Sequence, residues 1–269
     1  MWVCPHCKLT LQASPDNAVL ACANGHSFDR AREGYVNLLP PNRRGSRQPG
    51  DNPQMVAARR RVHDAQLYKP LADAVVAELL EHAPVGEVLE LGCGEGYYCD
   101  ALALPGGGCE VLGVDISRAA VRLAARRCKA GRFAVASAYD LPLPDASVAA
   151  VVRVFAPSDD AEVVRILRPG GFYLEVSPGP RHLWQLRSLL YDRARENTPA
   201  RFDVDGLQLC SRQSLEYVLD LTREQLLDVV AMTPFAHRGH REKREELQIS
   251  ELTAMDMSFA LHLFQRTAD

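Results

Sequence analysis

From about residue 68 onward, the apolar positions alternate between a helical period and short uninterrupted runs. This is the pattern of buried parallel strands separated by helices. Leu71–Leu80 gathers its apolar residues on one helical face, and Val88–Leu91 predicts a buried strand that carries one acid, Glu90. Val111–Val114 predicts the next strand and runs into Asp115, and Ser117 is placed to cap a helix over Arg118–Cys128. Phe133–Ala136, Val148–Val154 and Phe172–Val176 predict three more strands, with a helix over Ala161–Leu167 before the last. Beyond them the pattern predicts helix to about Met232, then a tail, Leu247–Arg266, that closes the sheet as an antiparallel hairpin. Ahead of this α/β body, Leu9–Leu11 and Ala18–Leu20 predict two short strands joined by Ser14-Pro15-Asp16-Asn17. Residues 1–38 are therefore expected to form a small module, 39–67 a connector and 68–269 the body.

Composition changes this picture little. With 269 residues, 47% hydrophobic and 24% charged, the chain is neither disordered nor fibrous. The net charge of −3 hides an asymmetry: residues 1–69 carry +5 and the remainder −8. A phosphate-bearing partner is therefore expected to dock on the N-terminal quarter. No apolar run approaches the roughly 20 residues that cross a bilayer. Met1-Trp-Val-Cys-Pro-His-Cys7 has neither a basic n-region nor an apolar h-region, so a soluble, cytoplasmic protein without membrane partners is expected.

Cys4 and Cys7 form a C-x-x-C knuckle, and Cys22 and His26 follow with the spacing of a second knuckle around Gly25. Two thiolates from one tight turn and a Cys/His pair from another can close a tetrahedron around Zn²⁺. About thirty residues cannot bury enough apolar surface to fold alone, so the metal would supply much of the stability. One structural Zn²⁺ per chain is expected on Cys4, Cys7, Cys22 and His26, with His6 facing away. The connector is basic. Arg43, Arg44 and Arg47 lie in a Pro/Gly-rich stretch, and Arg59, Arg60 and Arg61 open an expected helix. Beside a zinc ribbon, such a cluster points to RNA phosphates.

The first body strand runs into Glu90-Leu-Gly92-Cys-Gly94-Glu95-Gly96-Tyr97. Alternate glycines let a backbone pass close beneath a ligand, although the third arrives one residue earlier than in a dinucleotide loop. Glu90 is placed to meet an amino group, and Asp115, ending the next strand, to accept two ribose hydroxyls. Asp140-Leu-Pro-Leu-Pro-Asp145 sits at the rim, and Arg168-Pro-Gly-Gly171 turns into the last parallel strand. Together these features resemble the class I S-adenosylmethionine-dependent methyltransferases.

The resemblance narrows on further motifs. Cys4-Pro-His-Cys7, Cys22…His26-Ser-Phe-Asp29, Glu33-Gly-Tyr-Val-Asn-Leu-Leu-Pro40, Gly50-Asp51 and Asp64-Ala-Gln-Leu-Tyr68-Lys-Pro-Leu71 all resemble the RlmA family, the large-subunit rRNA guanine-N1 methyltransferases. Phe155-Ala-Pro157, Pro178-Gly-Pro-Arg-His-Leu183 and Met232-Thr-Pro-Phe-Ala236 continue the match over nearly the whole chain. It implies a Rossmann-like fold, a mostly parallel seven-stranded sheet behind the zinc ribbon, acting as a homodimer on a 23S rRNA hairpin. It also implies S-adenosylmethionine as cofactor, held by Tyr68 and His182 besides Glu90, Gly92, Gly94, Glu95, Gly96, Tyr97 and Asp115. The target atom lies on the Watson–Crick face, so the base must be looped or flipped out.

Phe155 and Pro157 occupy the place where amino-methylating relatives carry an Asn/Asp-Pro-Pro-aromatic run. That substitution fits a ring-nitrogen target with Phe155 stacked on the base. No general base stands out; Asp159, Asp160 and Glu162 are the nearby carboxylates. Cys93, Cys99, Cys109, Cys128 and Cys210 read as small packing residues. Two other functions fit the body: methylation of a small molecule, and non-catalytic rRNA binding or assembly around a vestigial cofactor site.

Overall fold

A computed structural model describes residues 2–40, 51–82, 85–103, 109–198, 203–233 and 252–267. Its N-terminal module has three short antiparallel strands, β1 (Gln12–Ala13), β2 (Val19–Ala21) and β3 (Ser27–Asp29). The expected strand at Leu9–Leu11 is instead a single bridge, Val3 to Thr10, and β1 begins just after it. A two-residue strand, β4 (Val36–Asn37), then leaves the module and joins the body.

The body follows the alternation of the sequence. Helices α1 (Pro53–Asp64) and α2 (Lys69–His82) precede β5 (Gly86–Leu91), α3 (Tyr97–Leu102), β6 (Cys109–Asp115), α4 (Arg118–Arg127) and β7 (Arg132–Val135). Next come β8 (Val148–Val154), α5 (Asp160–Ile166), β9 (Leu167–Pro178), α6 (Trp184–Leu190), β10 (Leu207–Asp220), α7 (Arg223–Ala231) and β11 (Ala254–Arg266). The sheet order is β10-β11-β9-β8-β5-β6-β7-β4. All pairings from β9 to β4 are parallel, and β11 and β10 close the far edge antiparallel.

Two further expectations differ from the structure. Among the described residues the sheet has eight strands, because β4 adds to the seven of the body alongside β7. The stretch before Met232 is not helical throughout: β10 occupies Leu207–Asp220, alternately half-buried and exposed. Leu207, Leu209, Leu215, Tyr217 and Leu219 keep a period of two, and pairing with β11 satisfies it.

Local chemistry sets the helix starts. The Asn52 side chain accepts from Met55 N at 2.9 Å with Pro53 at the first helical position of α1, a residue that suits a site needing no N–H. Ser117 caps α4, as expected. Apolar packing then fuses module and body: Trp2, Cys4, Leu11, Leu20 and Cys22 share one core with Leu89, Leu91, Leu112 and Val114 of the sheet. Among the described residues, no helix is long and apolar enough to cross a membrane.

Candidate functional site

The N-terminal ligand set is assembled by two knuckles. Lys8 N donates to Cys4 O in the first, and Gly25, at φ +80°, turns the second so that Cys22 N meets His26 O at 3.0 Å. The His26 Nδ1 lies 3.6 Å from Cys4 Sγ, 3.6 Å from Cys7 Sγ and 3.4 Å from Cys22 Sγ. Cys7 and Cys22 are 3.6 Å apart. Four ligands at Zn–S and Zn–N bond lengths around a tetrahedral ion stand roughly 3.6–3.8 Å from one another, so the donor set fits Zn²⁺. His6 is exposed and stacks on Phe28, outside the cluster. Four protein ligands leave no open coordination position, which makes the metal architectural.

A cavity of about 680 Å³ opens at the carboxyl ends of β5, β6 and β8. Its floor is the glycine loop. A Cβ on Gly94, at φ +53°, would find no atom closer than 3.8 Å and would project into open cavity, whereas one on Gly96 would meet Ala124 at 2.8 Å. The first glycine makes room for a ligand; the second makes room for α4. Asp115 is held by Gly94 N at 2.9 Å and Ser117 N at 2.7 Å, one to each carboxylate oxygen. Each oxygen keeps a lone pair for a hydroxyl donor. Burial raises the Asp115 pKa against these bonds.

Glu90 faces the same cavity, 2% exposed, with Oε2 buried and unpartnered. Burial pushes its carboxyl up to about 8, Cys99 hydrogen bonds lower it, and the charges of Glu95 and Asp115 raise it again. A buried carboxylate oxygen lacking a donor is costly unless a ligand supplies one. An ammonium group is the complement. The cradle of Gly94, the hydroxyl acceptor Asp115 and the unpartnered Oε2 of Glu90 together fit S-adenosylmethionine.

Glu95 and Tyr97 also line the cavity, but a network the sequence did not expose already engages them. His63 Nδ1 lies 2.7 Å from Glu95 Oε1, and Arg127 Nε lies 3.0 Å from Glu95 Oε2. The His63 ring stacks on Tyr97 at 4.1 Å, and the Arg127 guanidinium covers the same tyrosine. Burial lowers the His63 pKa, with Glu95 pulling the other way. Sequence spacing could have found His63: Met55, Arg59 and His63 fall at i, i+4 and i+8 on α1, and all three line the cavity.

Tyr68 is buried, edge-on to His63 and Phe259. His182 is buried too, and burial depresses its pKa to about 4. Its Nδ1 accepts from Ser258 N at 3.4 Å, so the neutral ring carries its proton on Nε2 and offers a donor to the cavity. Phe155 is 43% exposed at φ +57°, a strained conformation for a non-glycine residue, and its ring lies 5.9 Å from that of His182. Pro157 lines the cavity beside it.

The connector arginines diverge. Arg59 enters the cavity, Arg60 pairs with Asp64, and Arg61 forms a two-pronged pair with Asp228 on α7. Arg43, Arg44 and Arg47 lie outside the described residues. Asp159 caps α5, and Glu162 pairs with Arg165 and accepts from Leu141 N; neither lines the cavity, nor does Asp160. Cys93, Cys99 and Cys128 are buried, as expected of packing residues, but Cys210 is exposed.

Comparison with known proteins gives the family of the chain. Residues 2–47 match the family model of the RlmA N-terminal zinc ribbon, and residues 88–171 match a methyltransferase-domain family. The chain is 37% identical to a 23S rRNA (guanine(748)-N(1))-methyltransferase of Streptomyces fradiae, over 86% of this chain and 84% of that one. Proteins provisionally named for 23S rRNA guanine-N(1) methylation are also similar. One from Micromonospora griseorubida is 35% identical over 87% of this chain and 85% of its own. YxjB of Bacillus subtilis (strain 168) is 30% identical over 94% of each.

Proposed function

Because the chain belongs to the RlmA-type family of 23S rRNA (guanine-N1)-methyltransferases, we propose that it methylates N1 of one guanine in a 23S rRNA hairpin, using S-adenosylmethionine. The observation that carries this reading is a single cavity joining the glycine loop and its two acids to a half-exposed, strained Phe155 at the mouth.

When bound, the cofactor would supply a methyl group already activated on a sulfonium and would leave as the neutral thioether while the N1 proton passes to water, so the protein's contribution is chiefly alignment. Gly92, Gly94, Glu90 and Asp115 hold the cofactor, with Tyr68 and His182 walling it. N1–H of a paired guanine is inaccessible, so the base must leave its stack before reaching the cavity. Phe155 offers a ring face to a base displaced in this way. His182 serves as a donor that positions, not as the base, because its acceptor nitrogen is already used. The protein works in the cytoplasm as a homodimer whose zinc ribbons, residues 1–38, help to seat the RNA.

Primer extension across 23S rRNA from cells with and without the gene tests the reading. A methyl on N1 blocks pairing, so reverse transcriptase stops one nucleotide short. The stop should vanish with the gene and return with the wild-type protein but not with Asp115→Ala; its position names the guanine. An unchanged stop pattern would overturn the assignment and favour a small-molecule substrate.

A further inference from the structure

The cavity wall leaves one charge unexplained by the reading above. Among its described lining residues, Asp51, Glu90, Glu95 and Asp115 are acids, and Arg59 is the lone Lys or Arg. Burial disfavours the charged forms of His63 and His182, His63 is already engaged by Glu95, and Glu95 is matched from behind by Arg127. S-adenosylmethionine brings two cations, a sulfonium and an ammonium, and one anion, the methionine carboxylate. The acids suit the first two. Among the described lining residues, Arg59 is the one fixed cation that suits the third.

The geometry of α1 makes this specific. Arg59, Arg60 and Arg61 are consecutive, so a helix turns them about 100° apart. Arg61 leaves for Asp228 and is 60% exposed, and Arg60 meets Asp64 on the surface. Arg59 lies on the stripe with Met55 and His63 that faces the cavity, its side chain 27% exposed. Its Nη1 is the nearest atom to the place a Cβ on Gly94 would occupy, at 3.8 Å, so the guanidinium hangs over the open centre of the glycine loop. It is not idle there. Nη1 pairs with the Asp51 carboxylate and Nη2 donates to Met232 O at 3.3 Å.

We propose that Arg59 anchors the methionine carboxylate of the cofactor, and that Asp51 holds this guanidinium in place until the cofactor's carboxylate displaces it. The proposal rests on the methyltransferase reading above and assigns Arg59 to the cofactor rather than to RNA phosphate. One carboxylate replaces another on the same fork, so the guanidinium never goes without a partner. Asp51 is 26% exposed and can return to water when displaced.

Calorimetry on the full, zinc-loaded chain, with S-adenosylmethionine and its decarboxylated analogue as ligands, tests the assignment. Wild type should bind the intact cofactor about 10- to 100-fold more tightly than the analogue, the range for a hydrogen-bonded charge pair. Arg59→Ala should reduce that preference to less than about threefold, and Arg60→Ala should keep it. Asp51→Asn removes the competitor and should tighten the intact cofactor several-fold while leaving the analogue unchanged. A merely structural Arg59 would weaken both ligands alike. Should Arg59→Ala fail to retain zinc or melt cooperatively, Arg59→Lys and Asp51→Asn carry the same test. An undiminished preference in the Arg59 variant, or weaker cofactor binding in Asp51→Asn, would overturn the proposal. If wild type bound neither ligand, the methyltransferase reading itself would fall.

Discussion

Replacing Glu90 with glutamine should make the cofactor-free protein less sensitive to alkali while costing it cofactor affinity. Glu90 sits one residue from the end of β5, 2% exposed, and burial sets its pKa near 8. In the unfolded chain it ionises near the ordinary value of 4.5. Between those values the folded state binds more protons, so stability falls as pH rises from about 4.5 to about 8. His182 runs the other way: its folded pKa of about 4 lies below the unfolded 6.5, so its contribution grows with pH but is complete above 6.5. The window from 6.5 to 8 therefore reports Glu90 without that opposition. At 1.36 kcal/mol per unit, wild type should lose about 2 kcal/mol more than Glu90→Gln across this window. Denaturant titrations of both proteins at the two pH values measure the difference. In melts the effect is about 4–8 °C. The glutamine cannot ionise to meet an ammonium, so S-adenosylmethionine should bind it at least about tenfold more weakly. Parallel pH profiles for the two proteins would refute the argument that Glu90 is held protonated for a cationic ligand.

Further outcomes follow from the same geometry. Gly94→Ala has room for its methyl and should cost only about 1–2 kcal/mol in a melt, from its positive φ. It should nevertheless abolish measurable cofactor binding, because that methyl occupies the cavity. Gly96→Ala, whose Cβ would meet Ala124 at 2.8 Å, should instead show its main loss in stability. Glu95→Ala strips His63 and Arg127 of their buried acceptor and should destabilise the fold by about 3–5 kcal/mol in denaturant titration. Removing the metal with a chelator should lift hydrogen-exchange protection from Val36–Leu38, where the module pairs with β7, while the β5–β8 ladder stays protected.

How much of this was legible in the sequence depended on whether the signal was local. The Cys4, Cys7, Cys22 and His26 cluster and the glycine loop were, because fixed spacing within each short turn sets their local geometry. The parallel core was too, since strands buried on both faces read as apolar runs. What failed was long-range. Val36-Asn37 is too short to announce itself, and only its partner β7 makes it a strand. Leu207–Asp220 alternates weakly and becomes a strand by pairing along its length with β11. The arginine run reads in sequence as one basic patch, yet the helical turn sends its three members to a cavity, a neighbour on α1 and a different helix. His63 carried no motif, and its role depends on Glu95 and Arg127, distant in sequence.

That dependence on distant partners also explains why a metal with no open coordination position bears on the cofactor cavity. The cavity wall at Ala136–Tyr139 continues into the loop Asp140–Asp145. From the body side, Arg165 grips that loop through Leu141 O, Leu143 O and Asp145, while Glu162 accepts from Leu141 N. From the other side the zinc module holds it: Val3 N donates to Pro142 O at 2.9 Å, and Lys8 pairs with Asp140 at 2.5 Å. Lys8 itself stands at φ +59°, one residue after the ligand Cys7, so the knuckle that closes on the metal also aims this lysine at the loop. An exposed ion pair alone would hold little. The backbone bond beside it and the shared apolar core beneath it make the attachment rigid. The ribbon is thus part of the cavity's frame, and the metal that folds the ribbon fixes one wall of the pocket about which it has no chemistry of its own.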